Sequence, residues 1–410
     1  MKKLRNYQLE LSERGVKVLR SKNIVYLSME VRTGKTATAL NVAKLNGSKK
    51  VLFLTKKKAI PSIESDYVDF GFNEHFELTV INNESMHKIQ DSFDLVIHDE
   101  SHRFGSFPKP SKGAKTFKLL YGRLPLILLS GTPTPEGYSQ IYHQFWVSMY
   151  SPFGESTFYK WAKEYVDVYQ INYGYGLVNQ YNKAKIQEIK KIIDPYMISL
   201  TQKEAGFTTE VKENILYCRM DEVTYKLTER LRKDLVIQGK EDLIMADTAV
   251  KLMNKLHQLY SGTIKFESGK AKVIDHTKAQ FILDKFQGKK IGIFYKFKAE
   301  YEALKDIFGD RLTSDIFEFD NSEKSIALQI VSGREGISLK KAEYLVYYNM
   351  DHSATSYWQS RDRLTTMERK LNDVFFIFTK GGIEENIYKS VVKKKNFTLS
   401  HFRKCYDVKI

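Results

Sequence analysis

The stretch IVYLSMEVRTGKTATALNVAKL, residues 24–45, decides the fold of the first part of the chain. Its apolar run, residues 24–28, leads through a polar turn holding Gly34, Lys35 and Thr36 into a helical pattern. A strand that passes through such a turn into a helix directs backbone N–H groups and the positive end of the helix dipole at an anion. The Lys35 ammonium can reach phosphates there, and the Thr36 hydroxyl can ligate Mg²⁺. The stretch therefore predicts a phosphate site on an α/β lobe.

Short apolar runs recur on both sides of the middle of the chain. The first series continues with VLFLT (51–55), LTVIN (78–82), DLVIH (94–98) and LILLS (126–130). The second series is IGIFY (291–295), DIFEF (315–319), ALQIV (327–331), YLVYY (344–348) and VFFIF (374–378). Runs of about five aliphatic or aromatic residues that alternate with helical segments are typical of buried parallel strands. We therefore predict an α/β protein with two parallel-sheet lobes.

The middle of the chain, from about residue 150 to 270, has long charged and aromatic segments with few strand signals. We predict a first lobe over 1–150, a helical insertion and connector over 151–270, and a second lobe with a basic tail over 271–410. The aromatic residues of the insertion are suited to stacking on bases, although aromatics at helical spacing more often form a core, which is the interpretation we favour. They are Tyr159, Trp161, Tyr165, Tyr169, Tyr173 and Tyr175.

Composition narrows the class of protein. The formal net charge of the 410-residue chain is +16, from 65 Lys and Arg against 49 Asp and Glu, which favours a polyanionic partner but also fits a merely lysine-rich surface. Cys218 and Cys405 give no disulfide framework and no zinc spacing, and no stretch approaches the roughly 20 apolar residues of a membrane span. We expect a cytoplasmic monomer with no membrane partner, in the host cytoplasm if the chain is viral.

The segment DLVIHDESH ends an apolar run with two adjacent carboxylates, Asp99 and Glu100. Ligands of parallel sheets bind at the carboxyl ends of strands. Acidic residues there are usually only a polar cap, but after a phosphate loop they suit nucleotide hydrolysis. Asp99 would hold Mg²⁺, through water, and Glu100 would orient and deprotonate the attacking water. The predicted ligands are ATP and Mg²⁺.

The order of phosphate loop, DESH and SGTPTP (130–135) resembles that of superfamily-two helicases. In the second half, VSGREGISL (331–339) and NMDHSATSYWQSRDRLT (349–365) resemble the fifth and sixth motifs of the Swi/Snf-like branch. These matches extend over most of the chain. The resemblance implies two RecA-like lobes and an ATP-dependent DNA helicase or duplex translocase that moves on or remodels DNA in replication, recombination or repair.

The resemblance also implies roles for individual residues. The expected catalytic set, with Arg363 as the arginine finger from the second lobe, is Lys35, Asp99, Glu100, Gln359 and Arg363. Nucleotide contacts are expected from Gln8, Thr33, Gly34, Lys35, Thr36 and Gly336, with Thr36 and Asp99 also serving the metal. Gln8, in the segment RNYQ (5–8), would read adenine, although a buried polar cap explains it nearly as well. Nucleic-acid contacts are expected from Thr55, Lys56, Ser130, Gly131 and Thr132. The segment MISLTQKEAGF (197–207) resembles the one that follows the helical protrusion in this branch.

Two positions depart from the pattern. Met29 stands where the complete phosphate-loop motif has its first glycine, and Thr366 stands where the sixth motif usually has a second arginine. Either Arg361 or Arg369 must then substitute, or the site has one finger. The loop variant EVRTGKT resembles bacteriophage and bacterial relatives, which is the origin we predict.

Three other functions are considered. An RNA helicase would carry a sixth motif similar to HRIGRTGR, which QSRDRLTT does not match. A small-molecule kinase also uses a phosphate loop but does not need a second lobe with SGREGISL and QSRDR. The third alternative is a module that binds nucleic acid with little ATP turnover, which we keep because Thr366 replaces the second arginine of the sixth motif. Duplex DNA is the favoured partner, with single-stranded DNA as the alternative.

Overall fold

The computed structural model describes residues 2–89, 91–135, 137–172, 176–239, 242–333, 337–366 and 368–393. The chain divides into two compact units, Met1–Phe207 and Thr208–Ile410, called unit 1 and unit 2.

Unit 1 is an α/β structure. Its strands are β1 (Ile24–Met29), β2 (Lys50–Thr55), β3 (Glu77–Asn82), β4 (Leu95–His98), β5 (Leu126–Ser130), β6 (Tyr169–Asn172), β7 (Leu177–Gln180) and β8 (Met197–Leu200). Its α-helices are α1 (Asn6–Lys22), α2 (Lys35–Asn46), α3 (Ile60–Asp69), α4 (Lys112–Tyr121), α5 (Ile141–Trp146), α6 (Phe158–Tyr165) and α7 (Ile186–Ile193). Short 3₁₀ turns are Lys57–Ala59, Phe72–Glu74, Asn83–Lys88, Ser101–Phe104, Tyr138–Gln140 and Asp194–Tyr196.

The main sheet of unit 1 has the order β3-β2-β4-β5-β1-β8 with every pair parallel. Alternate residues of β1 pack into two different apolar clusters, Val25 and Leu27 into one and Ile24 and Tyr26 into the other. Both faces of the sheet are covered, which is why its strands are continuously apolar. Because β4, β5 and β1 are neighbours, the residues that follow them share one edge of the sheet.

Unit 2 is also an α/β structure with a six-stranded parallel sheet. Its strands are β9 (Glu210–Cys218), β10 (Val236–Gln238), β11 (Leu243–Met245), β12 (Thr263–Lys265), β13 (Ala271–Val273), β14 (Ile291–Tyr295), β15 (Leu312–Thr313), β16 (Ser325–Gln329), β17 (Tyr344–Tyr347) and β18 (Leu371–Thr379). Its α-helices are α8 (Glu222–Asp234), α9 (Ala249–Leu259), α10 (Thr277–Lys285), α11 (Lys298–Phe308), α12 (Ile316–Asp320), α13 (Ile330–Gly333), α14 (Ala354–Ser360) and α15 (Glu384–Val391). The parallel sheet has the order β15-β16-β14-β17-β18-β9. Two parallel-sheet units confirm the predicted fold class.

The middle of the chain differs from the prediction. It contains seven strands, β6 to β12, within the described part of residues 150–270, so the expected scarcity of strands was wrong. The predicted boundaries at 150 and 270 also do not coincide with the division at Phe207. The reason is that β8 pairs with β1 in unit 1, whereas β9 pairs with β18 in unit 2, so each sheet takes one edge strand from the supposed insertion.

Two strand predictions in unit 2 need correction. DIFEF is the helix α12, because the side chain of Asp315 accepts a 2.8 Å hydrogen bond from the Glu318 amide and caps the helix. ALQIV is shifted, since β16 ends at Gln329 and α13 begins at Ile330. In the described part of the chain, none of the helices combines the length and the apolar character needed to cross a bilayer.

Candidate active site

The phosphate loop lies between β1 and α2. Gly34 has φ of +81° and precedes the first helical residue, Lys35, so the loop turns sharply into the helix. A side chain at Gly34 would be strained by this φ, and its Cβ would lie 2.1 Å from Gln8 Nε2, so Gln8 would have to move. The Thr33 hydroxyl donates a 2.7 Å hydrogen bond to the Glu30 carbonyl and closes the loop on itself. A helix N-terminus with Lys35 and Thr36 in its first turn is suited to bind phosphate.

The N-terminal helix contacts this loop. The Tyr7 hydroxyl donates to the Thr33 carbonyl at 3.1 Å, and Gln8 Nε2 donates to the Gly34 carbonyl at 3.4 Å. Gln8 Oε1 accepts from the Arg5 amide at 2.8 Å, and Gln8 is 5% exposed. The structure thus places Gln8 at the phosphate loop. Its reading of adenine stays a prediction.

A second anchor of the loop comes from the residues after β8, which sequence reasoning did not assign to the site. The Gln202 amide donates to Glu30 Oε2 at 2.7 Å, and Gln202 Nε2 donates to the Val31 carbonyl at 2.9 Å. The Glu30 amide in turn donates to the Leu200 carbonyl at 2.9 Å. The segment after β8 therefore fixes the start of the phosphate loop from more than 170 residues away.

The acidic pair follows β4 at the same edge of the sheet. Glu100 has φ of +52°, so the two neighbouring carboxylates leave the chain in different directions. Asp99 Oδ2 accepts a 2.9 Å hydrogen bond from the Thr55 hydroxyl, at the end of β2. Thr55 is 1% exposed, so in this structure its side chain supports Asp99, and its expected contact with a nucleic-acid backbone stays a prediction.

Burial and neighbouring charges shift the pKa values of Asp99 and Glu100 in opposite directions. Burial, together with the neighbouring Glu100 charge, raises the pKa of Asp99, while Lys35 and Thr55 partly offset the rise. Burial alone would also favour neutral Glu100, but the hydrogen bond with His102 and the charges of Lys35 and Lys56 lower its pKa instead. Glu100 therefore stays ionised, as a residue that orients water must be.

His102 links the acidic pair to the SGT segment. Its Nδ1 lies 3.1 Å from Glu100 Oε2 and 3.1 Å from Ser130 Oγ, and its side chain is 9% exposed. A proton on Nδ1 is positioned to be shared between these oxygens. Sequence reasoning gave His102 no role, although it lies within DESH, two residues after Glu100.

The SGT segment (residues 130–132) and the proline that follows it are fixed by hydrogen bonds. Ser130 Oγ accepts from the Thr132 amide at 3.1 Å, and the Tyr26 hydroxyl donates to Gln144 Oε1 at 2.6 Å. Gln144 Nε2 donates to the Pro133 carbonyl at 2.7 Å. Gly131 lies against the loop, since a Cβ there would be 3.4 Å from Lys35 Nζ. The phosphate loop, the acidic pair and the SGT segment of unit 1 thus form one connected site.

The donor set of the site fits Mg²⁺. The Thr36 hydroxyl and the Asp99 carboxylate are hard oxygen ligands, and a Mg²⁺ ion bound by one or two protein groups completes its shell with water and phosphate oxygens. Burial disfavours the negative charge of Asp99, and a bound cation would offset that cost. These two residues would hold the metal, which when bound supplies charge neutralisation to the phosphates.

The sixth-motif residues of unit 2 lie on α14 and the turn after it. Arg363 is 6% exposed, and its Nε and Nη1 donate to the carbonyls of Gln359 and Ile337 at 3.0 and 3.1 Å. Gln359 is 2% exposed. Both expected catalytic side chains are therefore buried in unit 2, and that of Arg363 contacts the fifth-motif segment. Gly336, expected to bind nucleotide, lies outside the described residues.

The two arginines that were considered as substitutes for the missing finger have other contacts. Arg361 Nη1 donates to Glu213 Oε1 at 3.0 Å, and the guanidinium lies 4.7 Å from the centre of the Trp358 ring. Arg369 donates to the carbonyls of Ala342, Glu343 and Leu371, and thereby joins the starts of β17 and β18. Thr366 accepts at its carbonyl from the Thr209 hydroxyl at 2.9 Å.

Two parallel α/β units, with a phosphate loop and a pair of carboxylates on one sheet edge of unit 1, define the class of phosphate-loop nucleotide-binding proteins. The model of the SNF2-related domain matches residues 27–268, more than half of the chain, and the protein belongs to this family. Its origin in a bacteriophage or bacterium stays a prediction.

Solved structures of similar proteins come from Sulfolobus solfataricus. The SWI2/SNF2 ATPase core in complex with dsDNA is 16% identical, with a TM-score of 0.43, over 99% of this chain and 93% of that chain. The SWI2/SNF2 ATPase core domain is 15% identical, with a TM-score of 0.44, over 100% of this chain and 95% of that one. No curated protein matches the sequence.

Proposed function

We propose that this protein hydrolyses ATP to move on, or remodel, duplex DNA. The observation that carries the proposal is the hydrogen-bonded chain from Glu100 through His102 to Ser130. It joins the group assigned to water activation with the segment assigned to nucleic acid. A change at either end alters the hydrogen bonds available at the other, which is what coupling of hydrolysis to movement requires.

The proposed mechanism assigns each step to a residue of the chain. The phosphates of ATP bind the N-terminus of α2 and Lys35, because backbone N–H groups and the ammonium converge there. Ionised Glu100 orients the attacking water and accepts its proton. Its lowered pKa keeps the carboxylate ionised and so able to accept a hydrogen bond from the water. Thr55 and Gln202 act as positioning residues, the first on Asp99 and the second on the loop.

Arg363 is proposed to stabilise charge on the phosphates in the transition state. Its present hydrogen bonds to two backbone carbonyls fix the orientation of the guanidinium. We expect Lys35→Ala and Arg363→Ala each to remove ATP turnover while DNA binding is largely retained. Loss of DNA binding in both variants would instead make these residues structural.

Displacement of a third strand from a DNA triplex tests movement on duplex DNA. The translocase proposal predicts that the protein displaces the third strand only with ATP, and that Glu100→Gln, which keeps the shape of the side chain, abolishes displacement. Unwinding of a forked duplex without triplex displacement would favour a strand-separating helicase. ATP hydrolysis stimulated by RNA alone would move the protein to the RNA-helicase alternative.

A further inference from the structure

The antiparallel hairpin formed by β6 and β7 is exposed on unit 1. It forms a two-stranded sheet in which Tyr169 pairs with Gln180, Ile171 with Val178 and Asn172 with Leu177. Six of its eight strand residues are exposed, and Leu177 is 64% exposed. At its base, the Asp167 amide donates to the Lys183 carbonyl at 2.9 Å and the Lys185 amide donates to the Tyr165 carbonyl at 2.8 Å, so the strands are joined firmly to α6 and α7.

The register gives the hairpin two chemically different faces. Because side chains alternate along a strand and directly paired residues share a face, Tyr169, Ile171, Val178 and Gln180 lie on one face. Gln170, Asn172 and Asn179 lie on the other face, together with Leu177. On this second face, Gln170 Nε2 donates to Asn179 Oδ1 at 3.0 Å. The hairpin therefore presents three amides and Leu177 on one side, and an aromatic and aliphatic surface with the single amide of Gln180 on the other.

The hairpin also lacks charge. Residues 168–182, fifteen in all, contain no Asp, Glu, Lys or Arg, although 28% of the chain is charged. Exposed edges of sheets are usually protected by charges, so an uncharged exposed ribbon suggests a surface that is covered in use. The region that carries it, 158–193, is basic, with Lys160, Lys163, Lys183, Lys185, Lys190 and Lys191 against Glu164, Asp167 and Glu188. Lys183 Nζ lies 4.6 Å from the centre of the Tyr169 ring, beside the ribbon.

We propose that strands β6 and β7 of this hairpin enter the major groove of duplex DNA, with the amides of Gln170, Asn172 and Asn179 on base edges and lysines of the region 158–193 on phosphates. The groove is roughly 12 Å wide and admits a two-stranded β-ribbon. Asn and Gln pair with adenine, and aliphatic side chains contact the thymine methyl group. A lysine beside an uncharged ribbon, on a basic region of the chain, matches a groove whose walls are phosphates and whose floor is bases. The inference rests on the proposed action on duplex DNA, and it adds the element that contacts the bases.

Salt dependence separates base contacts from phosphate contacts. We expect the triple variant Gln170→Ala, Asn172→Ala, Asn179→Ala to bind a labelled duplex roughly tenfold more weakly, with an unchanged slope of log affinity against log salt. Lys160→Gln with Lys183→Gln should reduce that slope by about 0.9 for each phosphate that the protein no longer neutralises. Gln187→Ala, an exposed amide on α7, and Leu119→Ala, 84% exposed on α4, are controls that should leave affinity unchanged. Wild-type affinity in the triple variant would overturn the inference.

A test on the unaltered protein does not depend on the folding of variants. Duplex DNA with bulky groups at C5 of its cytosines, which fill the major groove, should bind the wild-type protein more weakly than plain duplex. A ligand that fills the minor groove should not compete. Equal binding to plain and modified duplex would contradict the inference.

DNA affinity, ATPase stimulation and oligomeric state together distinguish the proposed function, the hairpin inference and a third possibility, in which the ribbon contacts a second copy of the chain. A wild-type protein whose ATPase is stimulated by duplex, with hairpin variants of unchanged affinity, would sink only the hairpin inference. A wild-type ATPase that no nucleic acid stimulates would sink the proposed function and the inference with it. A wild-type dimer that becomes a monomer in the hairpin variants, with unchanged DNA affinity, would assign the ribbon to contact with a second copy and overturn the inference.

Discussion

The hydrogen bond between the Thr55 hydroxyl and the Asp99 carboxylate gives Thr55 a role at the candidate active site that is distinct from its expected role in nucleic-acid binding. The resemblance assigns Thr55 to nucleic acid, whereas the structure buries it against the acidic pair at 2.9 Å. A hydrogen bond to a charged group contributes about 1.5–3 kcal/mol. The two roles therefore predict effects on different measurements.

We expect Thr55→Val to lower kcat for ATP about tenfold or more, because Asp99 loses its donor while the side-chain volume is kept. Thr55→Ser, which restores the hydroxyl, should recover most of the rate. Affinity for duplex DNA, measured by fluorescence anisotropy, should be unchanged in both variants. A variant with normal kcat and weakened DNA binding would return Thr55 to the nucleic-acid interface.

Gln202 is expected to act on ATP binding. Gln202→Leu removes the donor to the Val31 carbonyl, so the loop is less fixed and KM for ATP should rise about three- to tenfold with kcat nearly constant. Gln202→Lys keeps a donor and should restore KM, and Gln187→Leu serves as an exposed control. Steady-state kinetics at saturating DNA measures both constants, and a fall in kcat alone would mean that Gln202 acts on the chemical step.

The difference between the residues found from the sequence and those missed is physical. Lys35, Asp99 and Glu100 follow apolar strands in a recognisable local order, so their side chains were found. Gln202 reaches the loop only because β8 pairs with β1, a contact between segments more than 170 residues apart that no local pattern reveals. His102 lay within a recognised motif, but its role depends on its distance from Ser130.

At the scale of elements, the packing of the DESH segment predicts a pH effect. His98, the last residue of β4, is 1% exposed and stacks on Phe104 with 4.0 Å between ring centres. Burial, together with nearby Arg103, lowers the pKa of His98 to about 3. Because the unfolded chain binds the proton near pH 6.5, stability is fully present above that pH and is lost as the pH falls toward 3.

We expect His98→Phe to remove part of this acid sensitivity, because phenylalanine fills the ring site without titrating. Between about pH 7 and pH 5 the wild-type free energy of unfolding should fall by about 2 kcal/mol more than that of the variant. Urea unfolding of both proteins at the two pH values measures the difference. Equal pH dependence would mean that His98 is not the responsible group.

Most of the strands that were predicted correctly are buried on both faces, with the edge strand β3 as an exception. Strands such as β1, β2 and β5 are continuous apolar runs, so their composition reveals them. β9 was missed because it is an edge strand whose sequence, EVKENILYC, begins with three charged residues among its first four and has one buried residue. The hairpins of β10 to β13 have three-residue strands, too short for a periodic pattern, and their pairing depends on the chain around them.

For the whole molecule, the division at Phe207 predicts which fragments fold. We expect residues 2–207 to unfold cooperatively on heating, followed by circular dichroism, whereas residues 2–150 should not. The shorter fragment lacks Phe158 and Trp161, which are buried against β1 and β5, and lacks the edge strand β8. A cooperative transition in residues 2–150 would restore the boundary predicted from the sequence.

The central claim is that hydrolysis at the site of unit 1 depends on nucleic acid, and the +16 charge of the chain makes a polyanionic activator reasonable. The most direct test is the ATP hydrolysis rate of the purified full chain with no nucleic acid, single-stranded DNA, duplex DNA or RNA, with Glu100→Gln as the inactive control. We predict strong stimulation by duplex DNA that Glu100→Gln abolishes. A rate that none of the three nucleic acids changes would contradict the account.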